Sequence, residues 1–102
     1  MASKERSSKK VCLSIEGEMT IYRAAELSQI IAPALATSRD VEVDLSRVTE
    51  MDSSGLQVMI SAKMESIIRH TQLSFVGHSP AVREVFDVCE VGSFFGDQAV
   101  IH

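Results

Sequence analysis

Aromatic residues are scarce in this chain of 102 residues. Phe, Tyr and Trp together make up 5% of it, and Trp is absent. This argues against the aromatic stacking platforms that bind single-stranded nucleic acids. The formal net charge of −4 argues the same way, because nucleic-acid binding needs a surplus of basic side chains. Nucleic acid is therefore not expected as a partner.

The chain has only two cysteines, no cluster of histidines and no long apolar run. Cys12 and Cys89 lie far apart in apolar patterns, which predicts buried, reduced thiols in a cytoplasmic protein rather than a disulfide framework. His70, His78 and His102 have no metal ligand at helical spacing, so no metal or cofactor is expected. No apolar run approaches the roughly 20 residues of a membrane-spanning helix, and no signal peptide is predicted.

The charge that is present divides unevenly along the chain. Residues 1–10 carry four basic side chains against Glu5, a net of +3, so the remainder carries −7. Because the start is polar and has no apolar stripe, residues 1–9 are predicted to be a disordered tail, with a phosphate or membrane contact as the alternative. At this length a single domain is expected over residues 10–102.

The spacing of the hydrophobic residues predicts strands that alternate with helices. Apolar and polar residues alternate over 11–15, 41–45 and 73–76, which is typical of strands with one buried face. Helical spacing predicts a helix from Tyr22 to Ala36, which Pro33 should kink or end early. A second helix should run from about residue 52 to Arg69 and a third from Pro80. This order predicts an α/β fold with a mixed or parallel sheet covered by helices.

The same patterns assign side chains to the core or to the surface. The expected inner stripes of the three helices are, in order, Leu27, Ile30, Ile31, Ala34 and Leu35; Leu56, Met59, Ile60 and Ile67; and Val82, Val85, Phe86 and Cys89. Lys63 falls inside the second stripe, where only its aliphatic stem would be buried. Val58 lies roughly opposite Leu56 and should be exposed. Phe94 and Phe95 are expected to belong to a short last strand.

The stretch FVGHSPA, residues 75–81, has the strand–turn–helix order of a hydrolase nucleophile elbow around Ser79. The next residue, Pro80, has no N–H to donate to an oxyanion, and only His102 follows as a triad histidine. Ser79 is therefore interpreted as a helix N-cap. An esterase remains the minor alternative, and the chain is predicted not to be an enzyme.

The stretch MDSSGL, residues 51–56, allows two interpretations. Asp, Ser and Gly are preferred at helix N-termini, so the stretch is explained by capping alone. It also suits reversible phosphorylation, because a helix N-terminus attracts negative charge through its free amides and dipole. A phosphate on Ser53 would then be tolerated without unfolding the helix.

Three stretches resemble the STAS domain, the anti-sigma factor antagonist family of bacteria: GEMTIYRAAEL, VEVDLSRVTEMDSSGLQVM and GHSPAVREVFDVCEVGSFF. The resemblance implies an α/β fold with a sheet of mixed direction and helices mainly on one face. It implies that a kinase phosphorylates Ser53 and that a phosphatase reverses the reaction. The unphosphorylated form would bind its partner, and phosphorylation would release it. Thr20 stands where switching members of the family usually have Asp.

The leading hypothesis is thus a cytoplasmic, non-enzymatic binding module that is switched by phosphorylation. Its expected partners are a serine kinase or anti-sigma factor, or a chemotaxis or biofilm regulator, together with a phosphatase. Around Ser53, the expected switch surface comprises Asp52, Ser54, Gly55, Val58 and Thr20. The alternative is a constitutive subunit of a transporter or signalling complex in which Ser53 is never modified.

Overall fold

The computed structural model describes residues 7–89, in which three strands alternate with three helices. The elements are β1 (Ser7–Met19), α1 (Ala24–Thr37), β2 (Ser38–Met51), α2 (Ser53–Arg69), β3 (Gln72–Val76) and α3 (Pro80–Cys89). The strands form one sheet in the order β1-β2-β3. The predicted α/β fold is confirmed. Both strand pairs in this part of the chain are parallel, so the mixed direction implied by the resemblance is not seen there.

One face of the sheet carries the core. Val41 and Val43 of β2 are fully buried, and the residues aligned with them on β3, Leu73 and Phe75, are buried too. The intervening Glu42 lies on the opposite, partly exposed face. This alternation is what a sheet with helices against one face requires, and it agrees with the predicted arrangement.

The strands are longer than the apolar alternation indicates. β2 continues through Arg47–Met51, beyond the predicted alternation of residues 41–45, because these residues pair with the last residues of β1. β1 begins at Ser7, and the buried Ser38 hydroxyl donates to the Lys9 carbonyl at 2.9 Å. The predicted tail boundary at residue 9 is therefore too late, since backbone pairing with β2 needs no apolar side chains. Residues 1–6 of the predicted tail lie outside the described residues.

Helix α1 buries most of its predicted stripe. Its buried members are Leu27, Ile31, Ala34 and Leu35, whereas Ile30 is 38% exposed at the edge of the contact. Pro33 does not end the helix, which continues to Thr37. The Thr37 hydroxyl donates to the Pro33 carbonyl at 2.9 Å, which satisfies one of the last carbonyls of the helix.

Helix α2 packs on two sides. Leu56 and Met59 face the core as predicted, but Val58 is only 8% exposed because it lies in the cleft between α1 and α2. Its predicted exposure is wrong, since α1 covers the side of α2 that a single stripe would leave to solvent. Ile67, predicted to be buried, is 62% exposed, and Ser66 takes the buried position instead. The ammonium group of Lys63 donates to the Leu73 carbonyl at 2.9 Å, which accounts for a basic residue on this side.

The predicted burial of Cys12 is also wrong. Cys12 is exposed, because it alternates with Val11 and Leu13 and so lies on the face of β1 that points away from the helices. The side chain of Cys89 and the strand expected around Phe94 and Phe95 lie outside the described residues. Among the helices that are described, none has both the length and the apolar character to cross a bilayer.

Candidate functional site

The three parallel strands end at the same edge of the sheet, where the turns that follow them are brought together. β1 is followed by the turn of residues 20–23, β2 by Asp52 and the start of α2, and β3 by Gly77–Ser79. In open parallel sheets, ligands bind in the crevice outside the carboxyl ends of the strands. The MDSSGL stretch lies at this edge, which is therefore the candidate site.

Asp52 connects the first turn of α2 to the turn after β1. One carboxylate oxygen, Oδ1, accepts from the backbone N–H groups of Ser54 at 2.8 Å and Gly55 at 3.2 Å, which is the geometry of an N-cap. The other, Oδ2, accepts from the N–H of Ile21 at 3.3 Å, and the Asp52 N–H donates to the Met19 carbonyl at 3.3 Å. The predicted helix start is confirmed. The Asp52 side chain also links the first turn of α2 to the turn after β1.

Gly55 lies against the backbone of β1. A Cβ atom at this position would be 2.1 Å from the Met19 carbonyl oxygen and 2.8 Å from the Met19 Cβ. Because no side chain fits there, only glycine lets α2 approach the end of β1 this closely. Gly55 was expected on the switch surface, but it is buried, and the group that it approaches belongs to the domain itself.

Thr20 is also turned inward. It is 8% exposed and its hydroxyl donates to the Glu18 carboxylate. The guanidinium of Arg23 donates to the carbonyls of Glu16 at 2.6 Å and Glu18 at 2.9 Å. The turn after β1 is thus held at both ends by bonds to the last residues of its own strand.

The tip of this turn is apolar and exposed. Ile21 is 66% and Tyr22 is 89% exposed. The helical pattern placed Tyr22 at the start of α1, so neither residue was singled out from the sequence. The helix begins only at Ala24. Ile21 and Tyr22 could have been recognised as surface residues only if that start had been located from the sequence.

Ser53 is the exposed residue of the motif. It is the first residue of α2 and opens on a groove of about 600 Å³ between the end of β2 and α3. The groove is lined by Thr49, Glu50, Met51 and Ser53 on one side and by Ala81, Glu84, Val85 and Val88 on the other. The ionisable residues in this lining are both acidic. Val88 is 77% exposed, so the wall formed by α3 is partly apolar and open to solvent.

Ser79 and His78 occupy the third turn at this edge. Ser79 is 4% exposed, and its Oγ accepts from the Val82 N–H at 3.3 Å, so the predicted N-cap is confirmed. The ring of His78 packs edge-on against Phe86, with 5.2 Å between the ring centroids. Its buried Nε2 has no hydrogen-bond partner within residues 7–89. Burial lowers the pKa of His78, and the positive charge of Arg83 lowers it further.

A family model described as Mlab, STAS domain, matches residues 2–96. The chain belongs to the STAS domain family. Among its curated relatives, the anti-sigma-B factor antagonist of Staphylococcus epidermidis is 27% identical over 77 residues, which cover 74% of this chain and 71% of the relative. The antagonist of Staphylococcus aureus is 26% identical over the same length and with the same coverage.

Solved structures share the fold of this STAS domain. The unphosphorylated anti-sigma factor antagonist SpoIIAA superposes with a TM-score of 0.69 at 21% identity, covering 85% of this chain and 77% of the other. The STAS domain of a SulP transporter from Vibrio cholerae gives 0.66 at 17% identity, covering 88% and 70%. Such low identity establishes the fold alone, and it is shared by an antagonist and a transporter domain.

Five of the six predicted site residues of this STAS domain meet at one edge of the sheet. Ser53 is exposed there, while Asp52 and Ser54 form the helix cap, and Gly55 and Thr20 are buried beside them. Val58, the sixth, lies in the cleft between α1 and α2 instead. Within the described residues there is no cluster of three or more side chains suited to holding a metal ion. Of the five residues at this edge, Ser53 alone is exposed.

Proposed function

We propose that this STAS domain is a cytoplasmic binding module that docks a regulatory protein over Ser53 and is switched by phosphorylation of that residue. The observation that carries the proposal is the exposure of Ser53 at the start of α2, facing an open groove. Asp52 and Gly55 have structural roles in the same turn. A change at Ser53 can therefore alter the surface while the turn itself stays intact.

Within residues 7–89, the groove offers a phosphate at Ser53 no basic residue to pair with. It adds a charge of about −1.5 to −2 beside Asp52, and the ionisable residues of the lining are Glu50 and Glu84. The helix dipole offsets about 0.3–1 kcal/mol of the local cost, so the domain should stay folded. A partner that packs over the site would have to strip water from an unpaired charge, which costs several kcal/mol. Phosphorylation therefore releases the partner.

The partner class follows from the family. The curated relatives are named anti-sigma-B factor antagonists, which supports a regulatory protein such as a serine kinase that acts as an anti-sigma factor. A chemotaxis or biofilm regulator fits the same surface. A dedicated phosphatase restores the binding form. A catalytic serine receives no support at Ser79, because its hydroxyl is buried and caps α3.

The test compares Ser53→Asp, Ser53→Ala and Ser54→Ala by affinity purification from the native cell, followed by affinity measurement for the captured protein. Ser53→Asp should bind at least about tenfold more weakly, a difference of about 1.4 kcal/mol, and should melt close to the unchanged chain. Ser53→Ala should bind normally and resist regulation.

Ser54→Ala is the matched control. It keeps the backbone N–H that donates to Asp52, so the cap and the phosphorylation should both persist. A phosphate found by intact-mass analysis on Ser54 or Thr49 would show that the assignment is wrong.

A second candidate is a constitutive subunit of a transporter or signalling complex. The observation that favours it is Thr20, which is buried, binds Glu18 and offers no carboxylate of its own beside Ser53. In that case Ser53→Asp and the unchanged chain would bind the same partner equally well. A transporter operon around the gene would support this candidate, and a neighbouring kinase or phosphatase gene would support the switch.

A further inference from the structure

Helix α3 has a buried apolar stripe and a second, largely apolar stripe that is only partly buried. Val82 and Phe86 are buried, with 0% and 3% exposure. The second stripe lies in the groove beside Ser53 and consists of Ala81, Glu84, Val85 and Val88. These positions are three or four residues apart and so form a single helix face. An apolar face with one carboxylate in its middle is thus presented at the candidate site.

We infer that the groove receives a segment of the partner in which an apolar side chain is flanked by lysine or arginine. The inference rests on the proposed docking over Ser53 and adds the chemistry of the partner. Val88, which is 77% exposed, offers apolar surface for the central side chain beside the partly buried Met51 and Val85. Glu50 and Glu84 stand on opposite walls of the groove, where they pair with the flanking basic groups.

Residues 1–6 and 90–102 do not suit the groove. β1 spans 13 residues, or about 40 Å at about 3.3 Å per residue, and the groove lies at its far end. Residues 1–6 can reach at most about 22 Å back along it. Residues 90–102 carry Glu90 and Asp97 but no lysine or arginine, so they supply no such basic group to pair with Glu50 and Glu84.

A second copy of the chain is also a poor occupant. Its exposed apolar side chains on α2, Met64, Ile67 and Ile68, have Lys63 and Arg69 nearby. The Lys63 ammonium is already bound to the Leu73 carbonyl and Arg69 to the Glu65 carboxylate. Neither is therefore available to Glu50 and Glu84 without breaking an internal bond, which leaves a segment of a different protein as the occupant.

Basic flanking groups do not remove the phosphorylation switch. An exposed ion pair changes an affinity by only about two- to fivefold, so attraction between the phosphate and those groups is modest. A doubly charged phosphate on Ser53, at the place where the partner's apolar side chain binds, weakens binding by about a hundredfold, because the phosphate must lose water there. The net expected effect is release.

The experiment selects a random 12-residue peptide library displayed on phage against the immobilised full chain. Enriched peptides are then synthesised, and their affinities are measured by fluorescence anisotropy. We expect enriched sequences to place Lys or Arg within a few residues of an aliphatic or aromatic side chain. Glu50→Gln and Glu84→Gln should each weaken binding by about two- to fivefold at low salt, and less at high salt. Val88→Ser should weaken it by about threefold or more.

Glu42→Gln is the matched control, because it removes the same charge from β2 on the face away from the groove. The affinity of the Glu42→Gln chain for the peptides should stay unchanged. Enrichment of acidic or uncharged peptides would overturn the inference. So would an equal effect of Glu42→Gln and Glu84→Gln. If the chain self-associates and Ile68→Asp abolishes the self-association, a second copy is the occupant of the groove. If a Phe94→Ser/Phe95→Ser chain binds the peptides more tightly, residues 90–102 are the occupant. Either result would also overturn the inference.

Failure of the proposed switch would look different. If the basic peptides bind through Glu50 and Glu84 but Ser53→Asp binds them equally or more tightly, the chemistry of the groove stands and release by phosphorylation is wrong. If Ser53→Asp abolishes partner binding while the glutamate variants have no effect, the switch stands and the inferred partner chemistry is wrong.

Discussion

Replacing Gly55 by alanine tests how the start of α2 is held. Helix propensity alone predicts a gain of up to about 1 kcal/mol, because alanine is the better helix former. The structure predicts the opposite. The added Cβ would lie 2.1 Å from the Met19 carbonyl oxygen, and this oxygen belongs to the backbone of β1, which cannot rotate away as a flexible side chain could.

The expected size of the loss follows from the displacement that is needed. A Cβ contact shorter than 3.0 Å is not tolerated, so α2 and β1 must separate by about 0.9 Å. Overpacking of this kind costs about 1–3 kcal/mol. The same movement weakens the bond from the Asp52 N–H to the Met19 carbonyl, already 3.3 Å long, at a cost of about 0.5–1.5 kcal/mol. From the middle of these ranges, and after about 1 kcal/mol of helix propensity is subtracted, a net loss of about 2 kcal/mol is expected.

The assay is thermal denaturation of Gly55→Ala beside Gln57→Ala, which lies on the exposed side of the same helix. Gly55→Ala should lower the melting temperature by about 8–16 °C, at about 4–8 °C per kcal/mol for a domain of this size. Gln57→Ala should stay within about 0.5 kcal/mol of the unchanged chain. A Gly55→Ala chain as stable as Gln57→Ala would refute the close approach of α2 to β1.

Three further outcomes are expected. Asp52→Ala should cost about 0.5–2 kcal/mol of stability and speed hydrogen exchange of the Ile21 amide, which donates to the Asp52 carboxylate; unchanged exchange in NMR would contradict this bond. Ser79→Ala should cost a similar amount while leaving phosphorylation of Ser53 intact, as checked by denaturation and intact-mass analysis. Because burial lowers the folded-state pKa of His78, stability should be retained above the unfolded pKa of about 6.5 and fall as the pH drops below it. Denaturation of His78→Gln between pH 7 and 5 should show a shallower slope, and an equal slope would contradict this.

Local chemistry made several elements predictable. The N-terminus of α2 follows from Asp52, and that of α3 from Ser79 and Pro80, because these signals act on backbone groups only two or three residues away. The alternation of Leu73 and Phe75 likewise identified β3, which was predicted over 73–76 and spans Gln72–Val76. Such features need no knowledge of what packs against the element.

Errors arose where a distant element decided the outcome. Val58 is buried because α1 lies along α2, and no periodicity within α2 contains that information. Ser7 pairs with Ser38 of β2, and the Lys9 carbonyl accepts from the Ser38 hydroxyl, which a hydrophobic pattern does not record. The groove also depends on elements that are distant in sequence, since α3 brings Val88 and Glu84 opposite Glu50 only in the folded domain. The sequence therefore indicated Ser53 but not the surface around it.

The capping and phosphorylation interpretations of the motif are compatible, because different residues carry them. Asp52 satisfies the first amides of α2, Gly55 allows its approach to β1, and Ser54 contributes a backbone donor. Of these four residues, Ser53 alone lines the groove. A switch at this position can gain or lose about two negative charges without taking a hydrogen bond from the cap. The cap in turn keeps the hydroxyl at a constant place beside α3, which a reversible docking site requires.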